Sequence, residues 1–204
     1  MTYNCVQIGL CNSAEYLYLT GKIDQNLDEL KQLPTQFPKP SKDWQFYGVD
    51  CDPTSIHTML DKYSTEIPNA QFICAGIRAE AGLGKFNSWF HTGYGYTAAP
   101  GDGALFGAAC LTLEQLFAEL GLQAVDVLAM DIEGTEYKVF RNYTWNIKPK
   151  FIAVECHGGP DEILEIIQNQ GYRLYREAIT NEHPKGSGKG TTELQFIYEE
   201  NDNA

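Results

Sequence analysis

The feature that most limits how this chain folds is a series of short apolar runs, rich in β-branched and aromatic residues, separated by segments of helical periodicity. The runs are "NCVQIGL" (4–10), "WQFYGV" (44–49), "AQFICAG" (70–76), "AVDVLAM" (124–130), "KFIAVEC" (150–156), "YRLYREAI" (172–179) and "TELQFIYEE" (192–200). A strand covered on both faces reads as a nearly continuous apolar run, and parallel neighbours need a crossover long enough to hold a helix. The alternation predicts an α/β fold with a doubly wound, mostly parallel, seven-stranded sheet. A length of 204 residues suits one full-sized core, so a single domain over 1–204 is expected.

Local signals mark the helices. Asp52 caps a helix with Pro53 at its first position, and Ile56, Met59, Leu60 and Tyr63 give an i, i+3, i+4, i+7 stripe. Thr112 and Gln115 form a capping box before Leu113, Leu116, Phe117 and Leu120, with Gly121 as the stop. Pro160 opens another helix, Ile163, Ile166 and Ile167 supply its apolar face, and Gly171 ends it.

Charge and cysteine usage narrow the partners. The formal net charge is −12 without a basic stripe, which argues against nucleic acid, whose phosphates are met by clustered Lys and Arg. No apolar run reaches a bilayer-spanning length and the first residues lack a basic signal region, so a cytoplasmic protein without a membrane partner is expected. The six cysteines show no close-pair metal spacing and suit reduced thiols. Cys5, Cys74 and Cys156 fall inside runs and are read as small core residues.

In an open parallel sheet, ligands bind beyond the carboxyl ends of the strands, where the strand order reverses. Four such ends carry polar residues: Gly9 after the first run, Asp50 after the second, Asp131 and Glu133 after the fourth, and Glu155 with His157 after the fifth. Gly9 permits a tight turn, Asp50 stands where a carboxylate accepts hydrogen bonds from ribose hydroxyls, and Asp50 also stands close enough to assist the cap made by Asp52. A nucleoside-containing cofactor is expected. The first turn has one glycine where a dinucleotide fingerprint needs three, and "KGSGKGTT" lacks P-loop spacing and precedes a strand. That segment is read as a loop.

These residues resemble the FkbM-type S-adenosylmethionine-dependent methyltransferases. "VQIGLCNS" is similar to the family's first motif, "WQFYGVDCDPTSIHTML" to its second, "TLEQLFAELGLQAVDVLAMDIEGTEYKVF" to the stretch ending in an acidic Glu-Gly-x-Glu block, and "WNIKPKFIAVECHG" to the segment that follows. The resemblance runs from Cys5 to about Leu174 and implies a Rossmann-like class I methyltransferase domain over the chain, with an antiparallel seventh strand beside the sixth. It implies S-adenosylmethionine as cofactor, with Gly9, Leu10, Cys11 and Asn12 along its methionine part. Asp50 and Cys51 would then lie at the ribose, Ala75 and Gly76 beside the adenine, and Asp131 near the sulfonium. Ser13, Asp50 and Cys51 depart from the family's usual glycine, glutamate and proline at those positions.

On this reading Asp131 and Glu133 orient a small-molecule hydroxyl acceptor, a sugar or natural-product scaffold, and His157 takes its proton, being the best acceptor by its ordinary pKa of about 6.5. Glu136 lies on the first turn of the next helix, where the helix dipole favours a carboxylate. Two other functions use the same residues: a non-catalytic nucleoside- or partner-binding protein, and a metal-dependent hydrolase built on the strand-end carboxylates with His157. No bound metal is expected on the first reading, because a cationic cofactor accounts for the negative charge. "GYGYTAAPGDGA" (93–104), with Tyr94 and Tyr96, is expected to form a glycine-rich lid.

Overall fold

Val6 and Ile8 bury completely on one face of β1 (Tyr3–Ile8) while Cys5 buries on the other. A strand apolar on both faces can sit only inside a sheet covered twice. The computed structural model, which describes residues 3–10, 44–63, 69–91, 95–100, 106–180 and 191–199, places β1 at the centre of such a sheet. Its parallel neighbours are β2 (Trp44–Asp50) and β8 (Val127–Met130). Beyond β2 lies β3 (Ala70–Cys74), and beyond β8 lies β9 (Phe151–Cys156), both parallel. β11 (Thr191–Tyr198) is antiparallel to β9 and to the edge strand β10 (Tyr172–Thr180), giving the order β10-β11-β9-β8-β1-β2-β3. This is the expected seven-stranded, mostly parallel sheet, with its antiparallel strand between the fifth and sixth of the expected runs.

Four helices are described: α1 (Pro53–Tyr63), α2 (Leu113–Glu119), α3 (Glu136–Asn142) and α4 (Pro160–Gln168). Leu116, Phe117, Val139, Phe140, Ile163 and Ile167 of the last three pack with Val6, Ile8, Leu128, Ile152 and Val154 into one core. On the opposite face Ile56 and Met59 of α1 join Cys5, Phe46, Val127 and Phe151. The capping box at Thr112 is present in both directions, and the Asp52 Oδ1 accepts the amide of Thr54 at 2.8 Å. None of these helices is long and apolar enough to cross a membrane.

Three expectations change. Leu60 is 43% exposed, so the buried face of α1 is narrower than the stripe implied. Cys74 is exposed rather than buried, because β3 is an edge strand covered only in part, whereas Cys5 and Cys156 are in the core. Residues 76–111 also hold a second, four-stranded sheet that the runs did not announce. Its strands are β4 (Gly76–Ile77), β5 (Gly82–His91), β6 (Gly95–Pro100) and β7 (Phe106–Leu111), in the order β4-β7-β5-β6. Of the expected lid, residues 95–100 form β6, paired antiparallel with β5 so that Tyr96 stands opposite Phe90. Tyr94 and the rest of that stretch lie outside the described residues, as do Cys11, Asn12, Ser13 and most of the "KGSGKGTT" loop.

Candidate active site

The strand order reverses between β1 and β8, and the chain is drawn tight there. Asp131 donates its amide to the Ile8 carbonyl at 2.9 Å, and Gly9 donates to the Val49 carbonyl at 2.9 Å. Gly9 has φ +82°, and a Cβ built on it would lie 1.7 Å from the Asp131 carbonyl oxygen. Only glycine fits where the two strand ends approach so closely.

Past β8 the chain turns sharply through two left-handed residues, Glu133 at φ +59° and Gly134 at φ +98°. Glutamate in that region is strained, and it persists only where its surroundings fix it. Here the fixing group is Glu136. Its carboxylate is fully buried, and Oε1 accepts the amides of Ile132 at 3.1 Å and Gly134 at 2.9 Å. The dipole reading of Glu136 is thus incomplete: the side chain folds back under the turn and holds it.

The turn brings the carboxylates to His157, just past β9. The His157 Nε2 lies 2.8 Å from Asp131 Oδ1 and 4.0 Å from Glu155 Oε1, and its Nδ1 lies 3.5 Å from Glu133 Oε2. Burial opposes a charge on this imidazole, but the hydrogen bond to Asp131 and the charges of Asp131, Glu133 and Glu155 outweigh it and raise the pKa to about 9. The surrounding carboxylates thus favour the imidazolium over the neutral imidazole expected from its ordinary value. Burial pushes the Glu133 carboxyl up to about 7, with His157 pulling it down and Asp131, Glu155 and Glu136 adding to the rise.

Sequence reading missed the contribution of β11. Thr191 Oγ1 donates to Glu155 Oε1 at 2.7 Å, and Glu193 lines, with Gln7, Gly9, Asp131 and Glu155, a small cavity beside the cluster. The signal was present in "TTELQF", where Thr191, Glu193 and Gln195 alternate with residues of the other face.

The expected cofactor residues divide into two groups. Gly9, Leu10, Asp50, Cys51 and Asp131 gather at the carboxyl ends of β1, β2 and β8. Asp50 is engaged by backbone: its Oδ2 accepts the Leu10 amide at 2.9 Å and its Oδ1 the Asp52 amide at 2.8 Å. It locks the two strand ends together and thus supports the α1 cap. Ala75 and Gly76 are buried where the chain enters the second sheet at β4, and a Cβ on Gly76 would meet Phe86 at 2.8 Å and Cys110 Sγ at 2.9 Å. Close packing accounts for that glycine.

Residues 87–174 match the model of the Methyltransferase FkbM domain. No curated protein matches the chain. Among solved structures, M. capricolum TrmK in complex with S-adenosyl-homocysteine is similar at TM-score 0.56 and 9% identity, over 98% of this chain and 63% of that one. An rRNA methylase from Streptococcus thermophilus is similar at TM-score 0.52 and 8% identity, over 98% and 88% of the two chains. The magnesium protoporphyrin IX methyltransferase ChlM from Synechocystis PCC 6803, with bound SAM, gives TM-score 0.51 and 9% identity over 97% and 71%. This chain thus spans less than two thirds of the TrmK length, and at such identities the likeness is one of fold. The match to the FkbM domain thus covers residues 87–174, and the sheet order and the solved structures show the fold of the Rossmann-like methyltransferases.

Proposed function

We propose that this chain transfers a methyl group from S-adenosylmethionine to a hydroxyl oxygen of a small molecule. The observation that carries the reading is the charge of the crevice: three carboxylates, Asp131, Glu133 and Glu155, stand within 4.0 Å of one imidazole, at the point where the strand order reverses. Among the described residues the site holds more carboxylates than cations, which fits a sulfonium, itself cationic. Gly9, Leu10, Cys11, Asn12, Asp50, Cys51, Ala75, Gly76 and Asp131 are the residues proposed to hold the cofactor. Asp50 ends β2 as a carboxylate, a group of the kind that accepts hydrogen bonds from ribose hydroxyls.

Such a cofactor would supply an electrophilic methyl for a new C–O bond, the electron pair of the broken C–S bond staying with the S-adenosylhomocysteine that leaves. The protein's part is to align the acceptor and to receive its hydroxyl proton. Asp131 and Glu133 offer acceptor oxygens for that proton, and His157 holds both carboxylates in place. The net charge of −12 supports a small or neutral acceptor over a polyanion.

Calorimetry with S-adenosylhomocysteine tests the cofactor assignment, and absence of binding at millimolar ligand would refute it. A screen with labelled methyl donor, including sugars, phenolic scaffolds and an RNA transcript, then tests the acceptor class. Label on a small-molecule oxygen supports the proposal, while label on a nitrogen or on RNA refutes that half of it. With an acceptor in hand, His157→Asn is expected to lower turnover by up to about 10²-fold, the cost of misplaced carboxylates. Unchanged turnover would remove His157 from the site.

A further inference from the structure

Glu136 leaves one oxygen unexplained. Its Oε1 is occupied by two backbone amides, while Oε2 is buried and has no hydrogen-bond partner among the described residues. A carboxylate oxygen buried without a partner is costly and calls for a missing cation or donor. Nothing in the methyl transfer reading uses it. Glu136 also offers an oxygen that lies with one ligand atom each of Asp131 and His157 in a group whose members are all within 4.8 Å of one another.

We infer that Asp131, Glu136 and His157 form a site for a divalent transition-metal cation. Two carboxylate oxygens and one imidazole nitrogen, whose proton the cation displaces to solvent on binding, make a donor set that suits borderline cations such as Mn²⁺ or Zn²⁺ better than Ca²⁺, which takes oxygen throughout. Ligand atoms about 2.0–2.2 Å from one ion lie no more than about 4.4 Å apart. The spread of the three groups, at most 4.8 Å, exceeds that span by no more than about half an ångström. Asp131 sits at the end of β8 and His157 just after β9, two adjacent parallel strands, and Glu136 is pinned below them by its amide bonds. Such anchoring fixes the ligands before the ion arrives. Three protein ligands leave coordination positions open, as in sites that take a substrate oxygen. Occupancy by the cation stands apart from the methyl transfer reading; only its use to hold an acceptor hydroxyl rests on that reading.

The test is a titration of the metal-free protein with Mn²⁺, read by the loss of the free-ion electron paramagnetic resonance signal, with Zn²⁺ and Ca²⁺ as competitors. One Mn²⁺ per chain is expected, displaced by Zn²⁺ and far less by Ca²⁺. Asp131→Asn, His157→Gln and Glu136→Gln should each weaken it about tenfold or more, and the exposed control Glu162→Gln should not. Far-ultraviolet circular dichroism on every variant identifies any that misfolds, and His157→Gln and Asp131→Asn, which are partly exposed, keep the test decisive if Glu136→Gln does. No binding at millimolar Mn²⁺, several weak ions per chain, or equal binding by the variants and the control would overturn the site. S-adenosylhomocysteine calorimetry on the same samples reports on the cofactor separately, so either proposal can fail alone.

Discussion

Gly9 and Asp50 act on the same few ångströms of backbone in different ways. At Gly9 any side chain meets the Asp131 carbonyl and also requires a left-handed φ. Gly9→Ala is therefore expected to destabilise the fold by more than about 3 kcal/mol in urea titration, combining steric overlap with backbone strain. A near-wild-type midpoint would show that the strand ends separate more easily than their hydrogen bonds suggest. Asp50→Ala removes the acceptor of two buried amides, those of Leu10 and Asp52, and should cost about 1–3 kcal/mol in the same titration. Loss of S-adenosylhomocysteine affinity beyond that seen in a stability-matched mutant would identify a ribose contact. The residue types at the strand ends were legible because an apolar run that stops at a carboxylate marks its own boundary. The burial of Glu136 was not, because it depends on the left-handed pair Glu133 and Gly134, which turns the first residue of α3 under β8.

Among the elements, α2 carries the most complete local signals. The Thr112 side chain accepts the Gln115 amide and the Gln115 side chain accepts the Thr112 amide. Thr112→Ala should cost about 0.5–2 kcal/mol, read as a shift of the urea midpoint. The same helix ties itself to the segment after α3 through Glu114, whose carboxylate accepts the Thr144 amide. Burial pushes the Glu114 pKa up, but its hydrogen bonds to Thr144, its own amide and Thr112 prevail and the net shift is downward. A carboxylate depressed in the folded state stabilises above its unfolded value, near 4.3, and that contribution is lost as pH falls through the folded value. Glu114→Gln should accordingly narrow its stability gap to wild type as the pH drops from about 6 to about 3; a gap that widens or stays constant would refute the linkage. Caps were readable because they need only neighbouring residues. The second sheet was not: β7, "FGAACL", has little β-branched content, and β5 pairs with partners on both sides that sequence periodicity cannot name. Gly84 is the clearest mark of that sheet, since a Cβ there would lie 2.4 Å from Cys110 Sγ.

For the molecule as a whole, a net charge of −12 spread over one fold works against compaction. The thermal midpoint of the cation-free protein should rise as sodium chloride goes from about 10 mM to about 150 mM, where the screening length falls to about 8 Å, and then level off. A flat profile would mean that the acidic groups are already offset by local partners, as Asp126 is by Lys150. The architecture has one further consequence. β11 lies between β9 and β10 although it follows both in the chain, and it pairs along most of its length with each. During synthesis from the amino end, the outer edge of β9 has no neighbour until residues 191–198 have been made, and β10 has no place in the sheet before then. The open flank is a row of unsatisfied backbone groups on a growing chain, the kind of surface that holding chaperones cover or that captures another copy of the same chain. Completion of this sheet thus waits on residues 191–198, after its other six strands have been made.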